Sequence, residues 1–511
     1  MLSGIFGKKS DHPLAELKSV QALLDDMPKN DAHRTLAEIT DMVEMLLESN
    51  DFKLDHQFAV LRMIDDAAQQ YQRKLVREYF TPFEINKFHE NRLWTALSNW
   101  SNQVAAAYFQ LFWQYIRGEK GAGAIKSHAP LLAVRTVHAL MWKLKFITAH
   151  YGKVDPAIWA SLLQLYKHAE QQQYLDNMVS LYPGTAGSTS VMQELGHMMV
   201  WYDAGLSALS PLYIHLTERI MAQYGSTIEI QRLPNQNTRL CIDLNQPGEP
   251  SRVNASATTH PAMRFIGLPE MKARLEELMK VLNKNIVPND INLGGNYEAS
   301  VIKEAAQYLL SYIIAPPMRR AARRAADVTL SVVSGFDRVM DSADAMLGFE
   351  EAEKAQWVTE EISVTGFSSR VPYKSSAGIG IGSLLGFQPD GVPHWGVAVV
   401  RRLVRDEDML RVGAEILSSQ VISVMLNQNK VAGGTVENGQ PALWLSSKQN
   451  DATGEAQLLM RADTFSPGRS LQIQMNGKNY LLMPSGLQEK GLDYDLAKFR
   501  FAVHETATEA G

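Results

Sequence analysis

A chain of 511 residues is too long for one compact domain, and its 45% hydrophobic and 21% charged content supplies several cores. A formal net charge of -5 excludes a general polyanion binder, so any nucleic-acid or phosphate contact has to be local. The one cysteine, Cys241, excludes an intramolecular disulfide and fits a reducing compartment.

The opening "MLSGIFGKKSDHPL" has no apolar run long enough for a secretory signal. The next 200 residues, to about residue 224, read as helix. "LAEITDMVEMLLES", "FAVLRMIDDAAQQYQRKLVREYF" and "LLAVRTVHALMWKLKFITAHYG" carry apolar residues at three- and four-residue intervals, with breaks at "GEKGAGA" and "YPGTAGSTS". The most apolar stretch, "VAAAYFQLFWQYI" at 104–116, is shorter than the roughly 20 residues that span a bilayer, and Gln110 and Gln114 interrupt it. It reads as a buried helix, and the expectation is a cytoplasmic protein without membrane insertion. Trp94, Trp100, Trp113, Trp142, Trp159 and Trp201 fall at helical spacing, as core residues do. Glu194, His197 and Asp203 lie near one another in "QELGHMMVWYD", but H-E-x-x-H spacing is absent and no cysteine pair assists, so no metal site is expected.

Between 225 and 315 the pattern changes. "STIEIQRL" and "RLCIDL" read as two short strands joined by the turn-like "PNQN", and helices follow through "MKARLEELMKVLNK" and "YEASVIKEAAQYLLSYII". A small α+β unit and a helical domain with an inserted hairpin both fit. From 316 onward the chain reads as β. Candidate strands are "DVTLSVV", "QWVTEEISV", "GVAVVRRLV", "RVGAEIL", "VISVML", "ALWLSS", "AQLLMRA", "SLQIQM" and "NYLLMP". They exceed one six-stranded barrel, so one β unit is expected over 316–428 and a β-rich extension over 429–511. "GIGIGSLLG" lacks the third glycine of G-x-G-x-x-G and no Walker lysine follows, so it reads as a connection between strands; "VAGGTVENGQ" reads as a hairpin loop. No G-x-S-x-G elbow or nucleophile–base pairing marks an enzyme, and no cofactor motif is present.

"PPMRRAARRAADVTLSVVSGF", at 316–336, concentrates positive charge. Pro316 and Pro317 stop the preceding helix. Arg319, Arg320, Arg323 and Arg324 follow at once. Guanidinium groups bind phosphate bidentately and fork onto the O6/N7 edge of guanine. Downstream, "EISVTG" sets Glu361, Ser363 and Gly366 at a candidate strand end, offering a carboxylate, a hydroxyl and a glycine free to adopt positive φ. Nucleic-acid binding is disfavoured, because Glu360, Glu361, Asp406, Glu407 and Asp408 intersperse Arg401, Arg402 and Arg405 with acid.

Together and in this order, the arginines and "EISVTG" resemble the PilZ domain family of cyclic di-GMP receptors, which carry RxxxR before the first strand and [D/N]xSxxG at the end of a later one. The resemblance covers roughly 319–425, including the "GV"-led and "VGAEIL" strands. It implies a six-stranded β-barrel that holds cyclic di-GMP with Arg319, Arg320, Arg323, Arg324, Glu361, Ser363 and Gly366. Glu361 stands where the family has Asp or Asn, one methylene longer. The reading implied is a multidomain α+β effector: a large helical region, which engages a protein partner, then the PilZ-like barrel and a further β-rich unit. Ligand contacts by Arg320 and Arg324 would shift populations at the loop before the barrel. The alternative is a PilZ-like adaptor that no longer binds nucleotide and acts through protein contacts.

Overall fold

The structure, a computed structural model, describes residues 12–49, 51–83, 85–184, 187–253, 259–315, 322, 324–343, 354–376, 378–428, 439–446, 454–475 and 477–503. The chain divides into two compact units, Met1–Pro317 and Met318–Gly511.

The first unit begins with helices α1 (Leu17–Asp25), α2 (Ala32–Glu48), α3 (Leu54–Tyr79), α4 (Lys87–Ile116), α5 (Ala129–Ala149), α6 (Pro156–Gln171), α7 (Val191–Asp203) and α8 (Pro211–Gln223). Their starts follow local chemistry. Asp31, Asn86, Asp155 and Ser190 accept N–H bonds from the first turns of α2, α4, α6 and α7, pairing donors the helix leaves open. Pro130, Pro156 and Pro211 occupy first turns, where a missing N–H costs nothing. The apolar 104–116 stretch is the C-terminal half of α4, with Val104, Leu111 and Phe112 buried. Trp100, Trp159 and Trp201 are core, and Trp94, Trp113 and Trp142 are half-buried. Among the described residues no helix is long and apolar enough to cross a membrane.

Next come β1 (Glu229–Gln231), β2 (Thr238–Asp243), β3 (Ser251–Arg252) and β4 (Met263–Gly267), then α9 (Met271–Leu282) and α10 (Ala299–Ile314). The two strands expected around "PNQN" are present as β1 and β2, but they do not form a hairpin with each other. The sheet runs β1-β4-β2-β3, and Ile266 of β4 lies opposite Ile230 on one side and Leu240 on the other. All five residues of β4 are buried, which suits a central strand better than an edge. One core runs from Leu14 to Leu309 and includes Leu240, Ile242 and Ile266, so the sheet shares the core of the helices.

The second unit holds β5 (Arg324–Ala325), β6 (Thr329–Ser334), α11 (Phe336–Ala343), β7 (Ala355–Ser363), β8 (Gly366–Pro372), β9 (Leu384–Pro389), β10 (Gly396–Asp406) and β11 (Met409–Ser418). The antiparallel order β7-β6-β9-β10-β11-β8, with β8 pairing back onto β7, closes a six-stranded barrel. Closure leaves no free edge. β5 extends the β6 side of β7. Of the glycine-rich "GIGIGSLLG", read as a connection, 378–383 lead into β9, with Gly378 and Gly382 at positive φ, whereas Leu384, Leu385 and Gly386 are the first half of β9 itself.

A second closed barrel follows, from β12 (Val421–Gln428), β13 (Gln440–Leu445), β14 (Glu455–Arg461), β15 (Leu471–Met475), β16 (Lys478–Lys490) and β17 (Tyr494–Val503), in the order β12-β13-β14-β17-β16-β15. "VISVML", grouped by sequence with the first β unit, is β12 and belongs here. The seam falls at 419–420, where the Ser418 hydroxyl bonds the carbonyls of Gln420 and Ser446. Most of "VAGGTVENGQ" lies outside the described residues; the flanking β12 and β13 pair antiparallel. Between the barrels, Val397 and Val399 of β10 and Phe336 and Val339 of α11 share a core with Val421, Leu443 and Leu496. With Ala398 and Val400 also buried, "GVAVV" is covered on both faces, hence its unbroken apolar run.

Candidate functional site

Of the four clustered arginines, Arg319, Arg320 and Arg323 lie outside the described residues. Arg324 opens β5 and is exposed. It pairs with Ile362, and Ala325 pairs with Glu361, both antiparallel. Ladder bonds thus bring the end of the arginine cluster beside "EISVTG", from which it is separated by nearly forty residues of chain. Side chains alternate along a strand, so Glu361 and Ser363 share one face of β7 and Arg324 follows the face of Ile362.

Ser363 and Gly366 face each other across a two-residue hairpin turn, and the Ser363 hydroxyl donates to the Gly366 carbonyl at 3.1 Å. Val364, at its tip, is 91% exposed. Gly366 was expected to supply positive φ, but its φ lies outside the left-handed region. Its missing side chain serves packing instead: a Cβ there would collide with the Ala414 carbonyl oxygen on the neighbouring β11. Glu361 is half-buried, and β7 is bulged at its neighbour Glu360, which bonds Arg411 at 2.8 Å.

The surrounding surface is cationic but largely compensated. Arg370 faces Asp406 at 3.8 Å, and Arg405 lies 3.8 Å over the Tyr373 ring. Arg402 is exposed opposite Gly413. Arg401 is the extra, ladder-unpaired residue of a bulge between Val400 and Arg402. Its Nε reaches Glu415 at 2.8 Å, its terminal nitrogens hold Glu489 of the second barrel at 2.7 and 2.6 Å, and the Tyr494 hydroxyl donates to Glu489 at 2.6 Å. Burial pushes the Glu489 carboxyl up, but these hydrogen bonds outweigh it and hold the group below its usual range. Sequence reading missed this link. Its signal was the adjacent Arg401-Arg402 pair inside an alternating strand, which cannot face solvent twice without a bulge.

The three residues weighed for a metal part company. Glu194 bonds His138 at 3.2 Å, His197 bonds the Glu218 carbonyl at 3.1 Å, and Asp203 bonds Arg252 at 2.7 Å. Among the described residues no group of three or more potential metal ligands occurs.

The helical unit also buries ion pairs that composition did not reveal. Arg135 bonds Asp65, Asp66 and the Tyr108 hydroxyl at 3.2, 2.7 and 3.0 Å. Lys145 bonds Glu218 at 2.6 Å and His215 Nδ1 at 2.8 Å. Arg264 forks onto Glu170 at 2.9 and 2.5 Å.

Residues 18–235 match the family model described as the N-terminal domain of the cyclic-di-GMP receptor FimW. The matched span runs from α1 through α8 to β1 and lies wholly in the first unit, outside both barrels of the second. No curated protein and no solved structure matches the chain.

Proposed function

We propose that this chain is a cytoplasmic cyclic di-GMP receptor whose first barrel is PilZ-like and holds the dinucleotide. Arg319, Arg320, Arg323 and Arg324 supply guanidinium groups for guanine and phosphate, and Glu361, Ser363 and Gly366 complete the site. The helical region carries the signal to a protein partner. The match of residues 18–235 to a cyclic-di-GMP receptor domain supports the ligand. What supports the location is the pairing of β5 with β7, which brings the end of the arginine cluster alongside the strand end that holds Glu361 and Ser363, with the Arg324 side chain on the face of Ile362.

Calorimetric titration with cyclic di-GMP tests the reading. Binding selective over GMP and cyclic di-AMP is expected. Charge-assisted contacts contribute about 1.5–3 kcal/mol each, so Arg324→Ala weakens affinity roughly tenfold or more. Absence of heat at high-micromolar protein rejects the receptor. Wild-type affinity in Arg324→Ala together with Arg320→Ala moves the ligand away from this barrel.

A further inference from the structure

A cavity of about 250 Å³ opens in the first unit between the end of α7, strands β2 and β3, and α10. Its walls are apolar, with Val200, Leu240, Leu268, Leu309 and Ile313 among them. Charge is confined to three side chains of the lining, Asp203, Arg239 and Arg252.

The two arginines are in different situations. Arg252 gives Nε and a terminal nitrogen to Asp203 at 3.3 and 2.7 Å, and its guanidinium lies 4.7 Å over the Tyr312 ring. That clamp fixes Arg252 and balances its charge. Arg239 is exposed, and among the described residues no carboxylate pairs with it. The lining therefore carries one uncompensated positive charge above an apolar floor. Ligand pockets combine these features: apolar walls for the body and a few placed polar groups for the head. The volume lies just below the range of about 300–1,000 Å³ for drug-sized ligands, which suits one ring system or a short chain and not a dinucleotide.

We propose that this cavity binds a small organic monoanion, a carboxylate or sulfonate on an apolar ring or chain. The apolar body lies against Leu240, Leu309 and Ile313. The anionic head meets Arg239, with Arg252 held by Asp203 as a second donor at the rim. The site is independent of the barrel site proposed for cyclic di-GMP, since its lining lies wholly in the first unit and the residues 319–366 proposed for the dinucleotide lie in the second.

The test uses the full chain with two fluorescent probes, anilinonaphthalene sulfonate and its uncharged relative phenylnaphthylamine. Saturable one-to-one binding of the sulfonate is expected, with the uncharged probe weaker. Arg239→Gln weakens the sulfonate roughly fivefold or more and leaves the uncharged probe unchanged. Ile313→Trp fills the cavity from a half-buried position and removes both signals, while circular dichroism confirms that each variant is folded. The proposal is overturned when the wild-type chain gives no saturable binding. It is equally overturned when Arg239→Gln and Ile313→Trp both bind the sulfonate as the wild type does.

Discussion

Arg401 of the first barrel grips Glu489 of the second with both terminal nitrogens, at 2.7 and 2.6 Å. Its Nε holds Glu415, which lies opposite Gly366 in the ladder between β11 and β8. One guanidinium therefore joins the second barrel to the strand that packs on the Ser363 hairpin. The link is charge-assisted, bidentate and half-buried, a geometry in which an ion pair contributes more than the small surface value.

Arg401→Gln should lower the stability of the β unit by about 1–2 kcal/mol, because it leaves Glu489 with Tyr494 alone. A double-mutant cycle with Glu489→Gln, read by denaturant unfolding, should give a coupling of about 1 kcal/mol. Additive single variants would show that the two side chains are neighbours without energetic connection.

The hairpin separates structural from ligand roles. Gly366→Ala forces a Cβ into the Ala414 carbonyl, so it should cost about 1–3 kcal/mol whether or not nucleotide is present. Ser363→Ala loses one hydrogen bond to a backbone carbonyl, a cost of about 1 kcal/mol. If Ser363 also contacts the ligand, Ser363→Ala weakens cyclic di-GMP binding beyond what its small stability loss explains. Calorimetry beside thermal melting separates the two.

How much of this was legible depended on whether the information was local. The helices announced themselves by period, β7 and β11 by alternation, and β10 by its unbroken apolar run. β8, "GFSSRVP", escaped because Ser368 and Ser369 are buried and break the apolar pattern. β17 escaped because Asp495 is buried, accepting from the amides of Thr464 and Phe465, and because Lys498 and Arg500 punctuate the strand. The seam between the barrels was invisible: "VISVML" alternates equally well in either barrel, and only ladder partners assign it. The order of "RRAARR" and "EISVTG" could be read, but not that Arg324 faces Ile362, which depends on strand pairing across distant sequence. Arg401 and Glu489 are 88 residues apart, with no local pattern to join them.

Buried charge in the helical unit makes a sharper stability prediction. Arg135 is almost wholly buried between Asp65, Asp66, Tyr108 and the Leu181 carbonyl. Burial raises the Asp65 carboxyl despite that arginine, so removing the arginine strands the carboxylate. Arg135→Met should cost about 3–5 kcal/mol. The double variant with Asp65→Asn should recover part of the loss. Helical ellipticity at increasing denaturant measures both.

The same unit should lose stability in mild acid, and the sign follows from the groups around Lys145. His197 and His215 are buried, and burial drives both below the usual histidine value, His215 well below it beside Lys145. Burial also opposes the Glu218 charge, but Lys145 and Arg219 outweigh it and hold that carboxyl well below its usual range. In each case the unfolded chain takes up protons that the folded chain refuses. Stability is therefore present above the unfolded values and falls with pH, first as pH drops through about 6.5 and again below about 4.5. Lys145, pulled down by burial to about 8, is partly deprotonated only at the upper end of this range, where it adds a small slope of the same sign. Melting followed by helical ellipticity should show the transition several degrees lower at pH 5 than at pH 7.5. A helical transition that stays level between pH 7.5 and 5 would mean that His197 and His215 take up protons in the folded chain as readily as in the unfolded one.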